Sequence, residues 1–165
     1  MRDDRAEVIT ETREKISELG LVNSAAELHP AGTVVLCRTA SAGFSAIMGT
    51  DMATSQDFVT WTCSDRLESR YLLMCLRAMR LDLVGRLAFG STHKTIYMPD
   101  IEDLKIPLPP LEEQRAALAD IDRRLEGIDA LTAHLTHQLE LLVEHRQARI
   151  TAAVTGRISG LPGAA

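Results

Sequence analysis

The sequence predicts an α/β (α+β) domain followed by one long coiled-coil α-helix, and three observations predict it. Residues 33–39 and 57–63 read as strands, the first a β-branched apolar run and the second an alternating one. Residues 69–83 carry apolar side chains at helical spacing, and from residue 111 a heptad pattern replaces everything before it. The 165 residues and 18.1 kDa suffice for one ordinary core with an appended element and exclude a large multidomain enzyme. A composition 45% hydrophobic and 25% charged is that of a globular chain, and only 4% aromatic residues favours helix-rich packing.

Residues 6–19 are charged and only loosely periodic, so they predict no more than a weak helix before Gly20, Asn23 and Pro30 punctuate the chain. The first strand follows Gly32. Small residues and Gly43 then suit a tight loop over 39–44, with a further short strand at 44–48. In the 57–63 strand, Phe58 and Trp61 read as core residues rather than base-stacking platforms. Tyr71, Leu72, Leu73, Cys75, Leu76 and Met79 form the apolar face of the 69–83 helix, with Arg70, Arg77 and Arg80 beside it. A polar, glycine-led stretch at 89–97 precedes a short turn and strand over 100–106. Pro107, Pro109 and Pro110 fix an extended segment, which places the end of the domain at residue 110.

From 111 to 153 there is one glycine, Gly127, and no proline, so a single helix of roughly 64 Å is expected at about 1.5 Å per residue. With Leu111 at position a, Leu118, Leu125 and Leu139 fall at a, and Ile121, Ile128, Leu135 and Leu142 at d. Gln114, Thr132, Arg146 and Arg149 interrupt the pattern, leaving the best seam between 118 and 142. A rod of that length cannot bury its stripe on a domain of this size, so it calls for a partner helix. Thr155, Gly156 and Arg157 stop the helix region, 111–156, and 157–165 reads as a flexible tail.

The net charge of -5 advertises no nucleic acid, but residues 33–96 are mildly cationic, with seven Arg and Lys against five Asp and Glu. Cys37, Cys63 and Cys75 lack any metal-ligand spacing and fit buried thiols in a reducing compartment. The first residues lack the apolar run of a secretion signal, and no stretch has the length of a membrane span; a cytoplasmic protein is expected. Gly90, Ser91, Thr92, His93 and Lys94 would place hydroxyls, backbone donors and a cation on one loop, as a phosphate oxygen requires, although a plain polar turn has the same composition. Arg38, Thr39 and Ser41, with Gln56, form a second set of donors at strand ends; Arg and Gln suit guanine and adenine edges. His134 and His137 share a helix face without a third ligand and read as solvated, so no metal is expected. No nucleophile, paired catalytic carboxylates or cofactor fingerprint appears, and no catalytic residue is assigned.

The passage Ile106-Pro-Leu-Pro-Pro-Leu-Glu-Glu-Gln-Arg into the helix, and the helix end Arg146-Gln-Ala-Arg-Ile-Thr-Ala-Ala-Val-Thr-Gly-Arg-Ile, strongly resemble the specificity (S) subunits of type I restriction-modification systems. Ala53-Thr-Ser-Gln-Asp-Phe, Arg70-Tyr-Leu-Leu and Phe89-Gly-Ser-Thr-His-Lys-Thr-Ile-Tyr agree in order, and the resemblance covers roughly residues 16–158. It implies a target-recognition domain that reads double-stranded DNA, with a conserved-region helix that spaces two such domains over a bipartite site and binds methyltransferase (M) subunits. It places chemistry elsewhere: methylation with S-adenosylmethionine on M subunits, and cleavage with ATP and Mg on the restriction (R) subunit, with no cofactor on this chain. It makes Thr54, Ser55, Gln56 and the Gly90 to Lys94 loop the best candidates for the DNA-facing side. A full S subunit has two domains and two helices, so this chain is expected to be a truncated half-subunit. It would pair its rod antiparallel with a second copy or another half-subunit; the alternative is a coiled-coil module for M subunits that binds no DNA.

Overall fold

The computed structural model describes residues 6–89 and 95–157, and the chain divides after Leu118 into two compact units. In the first, β1 (Val8–Ile9), α1 (Glu18–Val22), β2 (Glu27–His29), β3 (Val34–Cys37), β4 (Ser45–Met48), β5 (Met52–Thr54) and β6 (Phe58–Trp61) precede α2 (Ser69–Asp82). A single π turn (Leu83–Leu87), β7 (Ala88–Phe89), β8 (Thr95–Ile96) and α3 (Met98–Glu102) then lead to α4 (Leu111–Val154), whose first two turns belong to this unit.

The main sheet has the order β1-β4-β3-β6, with β1 parallel to β4 and the other neighbours antiparallel. All four residues of β3 are buried, because both faces of the sheet are covered. Val34 and Ile47 face Leu72, Leu73 and Leu76 of α2, whereas Val35, Ala46 and Met48 meet Ile9, Met52 and Phe58 on the other side. Each fully buried leucine contributes about 1.5–3 kcal/mol, so α2 on β3 and β4 is the principal stabilising contact. A second cluster joins Ala42, Leu83, Ile96 and Ile101, and Trp61 packs against both clusters. Gly43, at φ +86, brings the β3–β4 loop against this region: a Cβ there would lie 2.8 Å from Val84.

Two of the expected secondary-structure elements are corrected. Residues 6–17 form no helix; Val8–Ile9 is an edge strand, held by Arg70 on Glu7 (Nε to Oε2, 2.5 Å) and by the Arg77 guanidinium on the Ala6 carbonyl (3.0 Å). Pairing with β4 overrides the weak local preference, and helix begins only at Glu18, where the Ser17 hydroxyl accepts from Gly20 N–H. The strand expected within 100–106 is also absent: Pro99 opens the short helix α3 with its φ already set, and 104–110 is irregular.

The second unit is the rest of α4, on which Leu125, Ile128, Leu135, Leu139 and Leu142 are all exposed. Leu118, expected in that seam, is instead buried within the first unit, and Ile121 is half-buried. Burial of Gln114 and Leu118 carries the first unit beyond the expected end at residue 110. No helix among the described residues is long and apolar enough to cross a membrane.

Candidate nucleic-acid interface

Arg38 follows directly on the fully buried β3, so its backbone is fixed by the sheet. Its N–H donates to the Asp57 carbonyl (2.9 Å), its carbonyl accepts from Ile96 N–H (2.8 Å), and its guanidinium Nε donates to the Gln56 carbonyl (2.8 Å). Thr39 makes an isolated antiparallel bridge to Thr95. Three segments distant in sequence, the β3–β4 loop, the β5–β6 turn and the β7–β8 hairpin, therefore meet at one residue.

The β3–β4 loop holds itself in one shape. Ala40 adopts a left-handed backbone at φ 61, Ser41 N–H reaches the Thr39 carbonyl (2.7 Å), and the Cys37 thiol donates to that carbonyl at 3.1 Å. Burial pushes the Cys37 thiol up, which keeps it protonated as the donor. At the loop's far end the Arg80 guanidinium lies 3.7 Å from the centre of the Phe44 ring. In the β5–β6 turn, the Ser55 hydroxyl and carbonyl accept from Asp57 and Phe58 N–H, and the Ser55 and Gln56 side chains are exposed. Thr54 is half-buried, with its hydroxyl 3.2 Å from Nε2 of His29, which also reaches Thr60.

The structure thus brings Arg38, Thr39, Ser41, Ser55 and Gln56 together, with Thr54 turned toward His29. Gly90, Ser91, Thr92, His93 and Lys94 lie outside the described residues, but the strands they connect, β7 and β8, pair beside Thr39. Donors and one fixed cation on short, hydrogen-bonded turns suit contact with phosphate oxygens and base edges. His134 and His137 are exposed on α4, and no group of three or more metal-ligating side chains occurs among the described residues.

Sequence reasoning missed the root of α4. Gln114, taken as a break in the heptad pattern, is completely buried; its Oε1 accepts from Glu68 N–H (3.0 Å) and its Nε2 donates to the carbonyls of Arg66 (2.9 Å) and Pro109 (2.8 Å). Arg115 pairs with the Glu68 carboxylate at 2.6 Å. A polar residue at an otherwise apolar heptad position was the available signal.

A family model described as Type I restriction modification DNA specificity domain matches residues 5–141. The chain is similar to the type I restriction enzyme EcoBI specificity subunit of Escherichia coli, 37% identical over 95 residues, which is 58% of this chain and 20% of that protein. It is also similar to the putative type I restriction enzyme MjaX specificity subunit of Methanocaldococcus jannaschii, 38% identical over 69 residues, 42% of this chain and 15% of that one. One similar solved chain comes from a structure on the complex assembly and conformational transition of the type I R-M system (TM-score 0.64, 25% identity, 77% of this chain and 31% of that one). Another is the HsdS subunit from Thermoanaerobacter tengcongensis (TM-score 0.53, 26% identity, 63% and 25%). The matches span a fifth or less of the length of the curated relatives.

Proposed function

Because the chain belongs to the type I restriction-modification DNA specificity family, we propose that it is a non-catalytic DNA-reading component, which recognises one half of a bipartite site and positions M and R subunits on it. The observation that carries this reading is the meeting of three candidate segments on Arg38. Arg38 and Lys94 supply phosphate contacts and exposed side chains such as Gln56 supply base-edge contacts, so affinity falls steeply with salt. S-adenosylmethionine, ATP and Mg belong to the partner subunits, and this chain binds none of them.

The exposed leucines of α4 support a helical partner for the rod. A second copy, or another half-subunit, pairs with it antiparallel; two identical copies read a palindromic bipartite site. The same seam favours a second reading, an interaction module for M subunits that binds no DNA. Purified chain, with and without its M subunit, is incubated with a random duplex pool at two salt concentrations. Enrichment of a bipartite motif with M present is the expected result. M binding without any enriched motif overturns the DNA-reading function in favour of the module.

A further inference from the structure

Two residues of the β3–β4 loop have left-handed backbone, for different reasons. Gly43, at φ +86, carries no Cβ and is wedged in place: a Cβ on it would lie 2.8 Å from Val84 Cγ2 and 3.1 Å from Arg80 Cγ. Ala40, at φ 61, carries a Cβ that opposes this conformation, and it stands exposed between Thr39 and Ser41. An exposed side chain is not pressed into a strained conformation by packing of its own, so the hold comes from the residues on either side. Ahead of it, the Arg38 carbonyl accepts from Ile96 N–H (2.8 Å) and Thr39 bridges to Thr95, which fixes the start of the loop to β8. Beyond it, Ala42 is buried among Leu83, Ile96 and Ile101, and the Phe44 ring lies 3.7 Å from the Arg80 guanidinium carbon. Cys37 closes the base, its N–H donating to the Phe44 carbonyl and its carbonyl accepting from Gly43 N–H (2.8 Å each). Right-handed or extended backbone at residue 40 would turn the chain away from these anchors, and only the left-handed form lets all of them be made together.

We propose that Ala40 is a positioning residue: its enforced left-handed backbone holds the Thr39 and Ser41 side chains in one arrangement, and that arrangement sets how strongly one base pair of the half-site is discriminated. The last clause rests on the DNA-reading function proposed above; the holding of the loop does not. At positive φ alanine has one narrow well, whereas glycine ranges over most of that half of the map. The same loop built on glycine keeps its anchors yet lets both hydroxyls swing, so they pair with a wrong base edge nearly as well as with the right one. Stability and specificity then separate. Glycine relieves the strain but loses more freedom on folding, and these effects offset, so the fold is no weaker while the reading is.

The test compares the full-length wild-type chain with Ala40→Gly and with Phe44→Leu, which removes the ring beside Arg80 without a change of charge. Each is assayed with its M subunit by fluorescence anisotropy, on the duplex selected by the wild type, on its single-base substitutions and on unselected duplex. Nitrogen-15 relaxation and thermal melting are measured on the chain alone. Order parameters across 39–43 should equal those of β3 in the wild type and fall in both variants. Both variants should keep the affinity for unselected duplex and its salt slope, and Ala40→Gly should melt no lower than the wild type. Preference for the selected base should fall about tenfold at one position of the half-site, the scale of one mismatch. Undiminished preference in either variant overturns the proposal, as does a loss in Ala40→Gly spread over every position with a lowered melting temperature. A wild-type loop as mobile as that of the glycine variant overturns it too. A wild-type chain that enriches no motif sinks the DNA-reading function, and the order parameters still decide whether Ala40 holds the loop.

Discussion

The Arg38 guanidinium and the Gln56 side chain share one short turn and have different tasks in it. Nε of Arg38 holds the Gln56 carbonyl, which leaves the exposed Gln56 amide projecting from a braced backbone. Arg38→Ala should lower affinity about tenfold, the scale of one hydrogen bond to a charged group, and reduce the salt slope by about 1. Arg38→Lys should keep the slope, since the charge remains, yet lose base preference with the brace, because an ammonium cannot reproduce the planar fork. Fluorescence anisotropy across a salt series reads both; unchanged affinity and slope in Arg38→Ala and Lys94→Ala would remove those residues from the interface. The residue types of this cluster were legible in the sequence. The role of Arg38 as a brace was not, because its partner lies eighteen positions away and is a backbone carbonyl that no pattern of side chains announces.

At the scale of elements, legibility followed length. The strands around Val34–Cys37 and Phe58–Trp61, the helix Ser69–Asp82 and the rod Leu111–Val154 each carry enough periodic apolar residues to declare themselves. The pairs β2–β5 and β7–β8, and the edge strand β1, are two or three residues long and exist because a partner strand is presented to them. The same shortness explains the mistaken strand within 100–106, where Pro99 decided for helix. Leu73, fully buried between α2 and the sheet, gives the sharpest check on this core. Leu73→Ala should cost about 2–5 kcal/mol in urea unfolding with the slope unchanged. A loss below 1 kcal/mol would mean that α2 does not anchor the sheet.

For the whole molecule, charge and exposure give two expectations. The leucine seam should drive association: sedimentation of the wild-type chain at micromolar concentration should show a dimer, and Leu135→Glu with Leu139→Glu should give a monomer of unchanged melting temperature for the first unit. A wild-type monomer would end the paired-rod reading. Burial pushes up the thiols of Cys37, Cys63 and Cys75, each from an ordinary value of 9.0. The unfolded chain then loses these protons first, so folding stability is undiminished below pH 9 and declines as pH rises from there through the raised folded values. Thermal melts from pH 7 to 10.5 should show that decline, and a cysteine-free chain should show less of it.

The edge strand β1 carries a temporal consequence. Its partners are β4 and then Arg70 and Arg77 of α2, so β1 leaves the ribosome ahead of everything that holds it. Closure of that long loop comes late because its entropic cost precedes any contact that rewards it. Synthesis and folding therefore run in opposite order at this edge: β1 is translated before the other strands of its sheet and docks after them, and β4 keeps an open flank until α2 has emerged to fasten it.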